Sequence, residues 1–172
     1  TSDITAGTTR TPIGLLAQGL IERSRRGGGP VTVLSCDNLS GNGTLLGNVL
    51  GEFLEATGAA PDTLNGVHFP NTMVDRITPA PTDATRAEAA RLIGHEDHAA
   101  TETEAFHQWV IEDDFPLGRP DWDLAGALFV SDVAPYETMK LRMLNGSHSM
   151  LAYAGFHAGL PLVRDVMAHA GL

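Results

Sequence analysis

Lys140, Asn145 and His148 lie within one nine-residue stretch, and Glu137 stands three residues ahead of it. Each type has a place in proton-transfer chemistry. A lysine amine takes a proton when its charged form is disfavoured, a carboxylate passes one on, an amide donates to an oxygen that is gaining charge, and an imidazole orients a hydroxyl. On an α-helix of about 100° per residue with Lys140 at the origin, Glu137 falls at about 60°, His148 at about 80° and Asn145 at about 140°. All four polar residues therefore occupy one half of the helix. Leu141, Leu144 and Leu151 share the same arc, which is more than the solvated side of an amphipathic helix. A lysine partly buried among leucines is desolvated, which is how a lysine becomes a base near neutral pH. Glu137 pulls the other way or relays the proton to solvent. On spacing alone a structural reading stays open: Lys140 extends past apolar neighbours to water, Glu137 is its solvated i−3 partner, and His148 is a satisfied core histidine.

These residues need a helix, and YETMKLRMLNGSHSMLAYAGFHAG after Pro135 supplies one, with the proline where a first turn tolerates it. A short helix is expected over 162–169. Upstream the pattern alternates. Thr11-Pro12 opens a helix that runs into Arg23, Arg25 and Arg26 and stops at glycine, the basic end suiting the negative end of the helix dipole. VTVLS at 31–35 reads as a strand buried on both faces, and TLLGNVLGEFLEATG as a helix, with CDNLSGNG between them. Asn38 lies on the carboxyl edge of that strand, where α/β units commonly carry ligands; on a structural reading it is a turn residue, and Asn42 with Gly43 sets the loop before the helix. VHFPNTMVDRITP at 67–79 is expected to be strand or extended chain, and Thr82 or Asp83 to cap a helix over 84–93. FHQWVIEDDF and GALFVSD look like two further strands. The character changes near Pro135, so residues 1–134 are expected to form an α/β part and 135–172 the start of a helical part.

Composition limits the function. The net charge is −10, and the one compact basic run, Arg23 with Arg25 and Arg26, is too small to outweigh it, so no nucleic-acid surface is expected. No apolar stretch is long enough to cross a bilayer, and the first ten residues lack a secretory pattern. The single cysteine, Cys36, makes no internal disulfide, which points to a reducing cytoplasm. His95, Glu96, Asp97, His98 and His107 offer ligand types, but a His-x2-His in a polar connector is weak and no metal site is expected. Trp109 and Trp122 are expected to pack the strands, while Asp75 and Arg76 are as well placed for an ion pair as for a site.

The segments SCDNLSGNG, FPNTMVDRITP, QWVIEDDF and SDVAPYETMKLRMLNGSHSMLAYAGF resemble, in order, the mannitol dehydrogenase family of polyol-specific long-chain dehydrogenases and reductases. The resemblance implies an α/β fold, the C-terminal part of a Rossmann-like NAD-binding domain followed by the first helices of a mostly helical substrate domain. It also implies a metal-independent, NAD-linked interconversion of a small-molecule polyol or sugar-acid alcohol and its ketone, of the mannitol/fructose or mannonate/fructuronate type. In that family the lysine matching Lys140 is the general base, and asparagines matching Asn38 and Asn145 donate to the oxygen. The histidine matching His148 holds substrate, and the glutamate matching Glu137 conducts the proton. Val74 and Asp75 match a stretch beside the nicotinamide.

One departure accompanies the match. No Gly-rich strand-to-helix turn for a pyrophosphate occurs, because Gly27-Gly28-Gly29-Pro30 precedes a strand. The chain thus reads as the middle of a longer enzyme that needs N- and C-terminal portions, and NADP is left open beside NAD. The rival expectation is a truncated, non-catalytic binding or interaction module.

Overall fold

The computed structural model describes residues 10–171. Nearly all of the ten-residue N-terminal stretch expected to carry no secretory signal, and Leu172, lie outside the described residues. The chain divides into two compact units, Thr1–Ser131 and Asp132–Leu172.

In the first unit, helix α1 (Pro12–Arg25) starts as its sequence dictates: Thr11 Oγ1 accepts from the Gly14 N–H at 3.1 Å, and the proline occupies the first turn. Its last turn is anchored by Arg23, which donates to the carbonyls of Gly29 (2.8 Å) and Asn65 (3.0 Å). Helix α2 (Asn42–Ala56) packs on α1, and Ala17, Leu20, Leu50 and Leu54 form the buried core between them. Val31, Val33, Phe53, Val67 and Phe69 flank this core.

Two small sheets complete the unit. Strands β1 (Val31–Thr32) and β2 (Val67–His68) pair in parallel. The β1 ladder is shorter than the five-residue strand expected from VTVLS. Val33 N–H still donates to the His68 carbonyl, but the next donor on the partner strand would be Pro70, which has no N–H, and at Ser35 the backbone carbonyl is taken by Thr72 Oγ1 and Asn42 Nδ2. Strand β3 (Thr72–Asp75) is antiparallel to β4 (Gln108–Glu112), and β5 (Leu128–Val130) runs parallel to β4 on its other side. Val110 and Ile111 in the central strand are fully buried, as a β-branched run between two neighbours should be.

Between β3 and β4 stands helix α3 (Asp83–Ile93), capped by Thr82 through a reciprocal bond with Thr85 and closed by Gly94 in the left-handed region. Trp109 and Trp122 stack at 5.2 Å, the latter on a 3-10 turn (Trp122–Ala125) ahead of β5. Asp114 joins the two sheets: its carboxylate meets His68 Nδ1 at 2.7 Å and its carbonyl accepts from Thr32 Oγ1.

The second unit is helical. Helix α4 (Ala134–Met139) is continued without a break by a π-helical turn (Lys140–Asn145) and by helix α5 (Gly146–Ala158). A short helix α6 (Val163–Met167) folds back on α5. A Cβ on Gly155 would collide with Val166 Cγ2, so the absence of a side chain sets how closely α5 and α6 approach.

Candidate active site

In the first unit, the loop from Cys36 to Gly41 leaves β1 and carries Asn38, which is solvent-exposed. A buried polar network holds its two ends. Asn42, 2% exposed, donates from Nδ2 to the carbonyl of Asp37 (2.9 Å) and to Thr72 Oγ1 (3.0 Å), with a longer contact to the Ser35 carbonyl. Its Oδ1 accepts the Thr72 N–H at 2.8 Å, and Thr72 Oγ1 donates to the Ser35 carbonyl at 2.6 Å. Gly43 is required beside it, because a Cβ there would run into the carbonyl oxygens of Phe69 and Pro70. Asn42 is thus a clamp as well as a loop former. The signal for it, Gly-Asn-Gly before a helix, is visible in sequence; its partner is thirty residues away.

Val74 and Asp75 follow Thr72 on β3 and are both half-buried. Val74 shares a strand face with Thr72 and lies opposite Trp109 in the ladder. The Trp109 indole N–H is buried with no hydrogen-bond partner among the described residues. Arg76 turns away from this face and donates to the Glu104 carbonyl at 3.2 Å.

In the second unit the structure alters the expected geometry. The Gly146 N–H bonds to the Leu141 carbonyl, an i to i+5 closure that adds one residue to the turn. Counting that residue out, Asn145 rotates from about 140° to about 40° from Lys140, and His148 from about 80° to about −20°. Lys140, Asn145 and His148 therefore stack in a tighter arc than a regular helix allows, and Glu137 stays at about 60° one turn earlier. Lys140 and Glu137 are half-buried, while Asn145 and His148 are exposed. The apolar enclosure expected around the lysine differs: Leu141 and Leu144 are exposed and Leu151 is half-buried. Asn38, Val74 and Asp75 belong to the first unit, and the lysine group to the second.

The β1-to-α2 turn is a strand-to-helix turn of the type that cradles phosphates, but its amides are engaged. Thr44 N–H donates to Asn71 Oδ1 (2.9 Å), and Leu45 N–H to the Gly41 carbonyl (2.9 Å). Those two amides are therefore not open to a pyrophosphate. The exposed Asn38 amide, the apolar Val74 and the Asp75 carboxylate do suit the nicotinamide end, which needs an apolar wall with a few polar partners. Among the described residues no group of three or more His, Cys, Asp or Glu side chains is arranged to hold a metal ion. Among them, too, no helix is long and apolar enough to cross a membrane.

Comparison with known proteins gives two family matches: a mannitol dehydrogenase Rossmann domain over residues 6–124 and a mannitol dehydrogenase C-terminal domain over 132–172. An uncharacterized oxidoreductase of Escherichia coli, YdfI, is 48% identical over 160 residues, covering 92% of this chain and 33% of its own. The D-mannonate oxidoreductase of the same organism is 45% identical over 162 residues, covering 93% and 33%. Among solved structures, the mannitol 2-dehydrogenase of Pseudomonas fluorescens, in a ternary complex with NAD and D-mannitol, superposes with a TM-score of 0.77. It is 41% identical, and the match covers 92% of this chain and 33% of that one. The chain spans about a third of the length of the relatives it matches.

Proposed function

The chain belongs to the mannitol dehydrogenase family, and from that membership we propose that it carries the catalytic centre of a metal-independent, NAD-dependent oxidoreductase acting on a polyol or sugar acid. The substrate class follows from relatives named for D-mannonate and solved with D-mannitol. The observation that carries the reading is the π-helical turn, which stacks Lys140, Asn145 and His148 on one line of a helix.

Oxidation of a secondary alcohol breaks its O–H and C–H bonds. Lys140 Nζ takes the hydroxyl proton, and Glu137, one turn away, passes it toward solvent. The Asn145 amide donates to the oxygen as negative charge grows on it and His148 orients a neighbouring hydroxyl, while the family resemblance gives Asn38, in the first unit, the same donor role. NAD, when bound, accepts the hydride. Val74 and Asp75 would hold its nicotinamide end. The work assigned to a metal in other alcohol oxidations is here done by one base and two amides, and chelator treatment should leave turnover unchanged. NADP remains an alternative to NAD, and a cytoplasmic location fits the single Cys36.

The test is NADH oxidation followed at 340 nm with fructose, fructuronate or tagaturonate. The chain should reduce one of them, alone or with N- and C-terminal portions supplied from a relative, and Lys140→Ala should abolish turnover without changing the circular dichroism spectrum. Retained turnover in Lys140→Ala would remove the base assignment. The rival reading is a non-catalytic binding or interaction module. Absence of reduction even in the complemented mixture would select it.

A further inference from the structure

We propose that Asn42 and Thr72 are positioning residues for the Asn38 donor, an inference that rests on the function proposed above. Asn38 sits in a loop whose residues from Cys36 to Ser40 are all exposed, so no apolar packing of their own fixes them. Polar contacts at the ends do. The carbonyl of Ser35, just before the loop, accepts from Thr72 Oγ1 at 2.6 Å. The carbonyl of Asp37, the residue bonded to Asn38, accepts from Asn42 Nδ2 at 2.9 Å. Asn42 closes the loop, and its own Oδ1 is held by the Thr72 N–H.

Both side chains are buried, Asn42 at 2% and Thr72 at 1% exposure, so water does not substitute for a lost partner. Thr72 also opens the strand that carries Val74 and Asp75. One buried pair therefore sets the Asn38 backbone and the start of the strand assigned to the nicotinamide end. An amide that stabilises a developing negative charge must be held in place before the charge forms, because a donor that reorganises during the reaction loses most of its effect. The network supplies that restraint at both ends of the loop that carries Asn38.

The discriminating pair is Thr72→Val, which keeps the shape and removes the hydroxyl, and Thr72→Ser, which keeps the hydroxyl. In Thr72→Val, amide hydrogen exchange at residues 36–40 should quicken about tenfold, the equivalent of one net hydrogen bond, while α2 and β4 keep their protection. Its kcat should fall by up to roughly 100-fold with the KM for NADH little changed, the signature of a misplaced group at the reacting oxygen. Thr72→Ser should restore both. Unchanged loop exchange and kcat in Thr72→Val would overturn the proposal. So would protection lost equally across α2 and β4, or an unfolded variant, since the pair would then hold the whole unit rather than the loop. Absence of wild-type turnover in the complemented mixture would instead remove the proposed function, and the exchange comparison would still decide whether the pair holds the loop.

Discussion

Cys36 stands two residues from Asn38, and its environment can be read from its acidity. Its thiol is held above the usual thiol range, first because the surrounding protein displaces water and then because the Asp37 carboxylate opposes a second negative charge. The folded chain thus favours the protonated thiol. That contribution to stability is complete below the unfolded thiol value and disappears as pH rises through the folded one. Iodoacetamide should therefore alkylate Cys36 more slowly in the native chain than in urea near about pH 8, and the gap should close at higher pH. Equal rates at both pH values would mean that neither the loop nor Asp37 acts on the thiol. At this scale the residues with local partners were legible: Thr11 and Thr82 cap the helices that follow them through side chain to backbone bonds three residues long. Asn42 was legible only as a loop former, because its burial depends on Thr72, which comes from another strand. Whether a polar residue is exposed or clamped is decided by such distant partners.

At the scale of elements, apolar spacing and punctuation located the helices and strands of both units, and the misses have physical causes. The β1 ladder ends early because the next donor on the partner strand would be Pro70, which has no N–H, and because side-chain donors take the Ser35 carbonyl beyond it. The helix after Pro135 contains a π-helical turn that no spacing rule reveals, since an i to i+5 closure uses the same residue types as an i to i+4 one. That turn is testable through its register. Deleting Met143, which is 70% exposed and carries no assigned role, should return the helix to a regular α-form. Asn145 and His148 would then stand four and seven residues after Lys140, at about 40° and −20°, the places that the wide turn gives them. Helical content should be kept and turnover should stay within about tenfold of the parent chain, because the three groups keep their register. A fall of roughly 100-fold would show that the wide turn does more than set this register.

At the scale of the whole molecule, the two units differ in what each buries. The first has a two-helix core around Leu50, which is fully buried, and a second buried cluster at Val110 and Ile111. The second unit, Asp132–Leu172, leaves Met143, Met150, Tyr153, Phe156 and Met167 each more than 60% exposed. Its helix α5 is apolar on most sides, and Gly155 lets it approach Val166 closely. Chains of about 40 residues rarely bury enough apolar surface to offset the entropy of ordering them. A peptide of residues 132–172 should therefore show little helix by circular dichroism when dilute, and should gain helix with concentration as the exposed methionines and aromatics find partners. A peptide of residues 10–131 should unfold cooperatively in urea, and its midpoint should not depend on concentration. A stable, monomeric and fully helical 132–172 peptide would contradict this account. It would mean that the contact between α5 and α6 suffices to order the lysine-bearing helix, and that its exposed apolar face contributes nothing to folding.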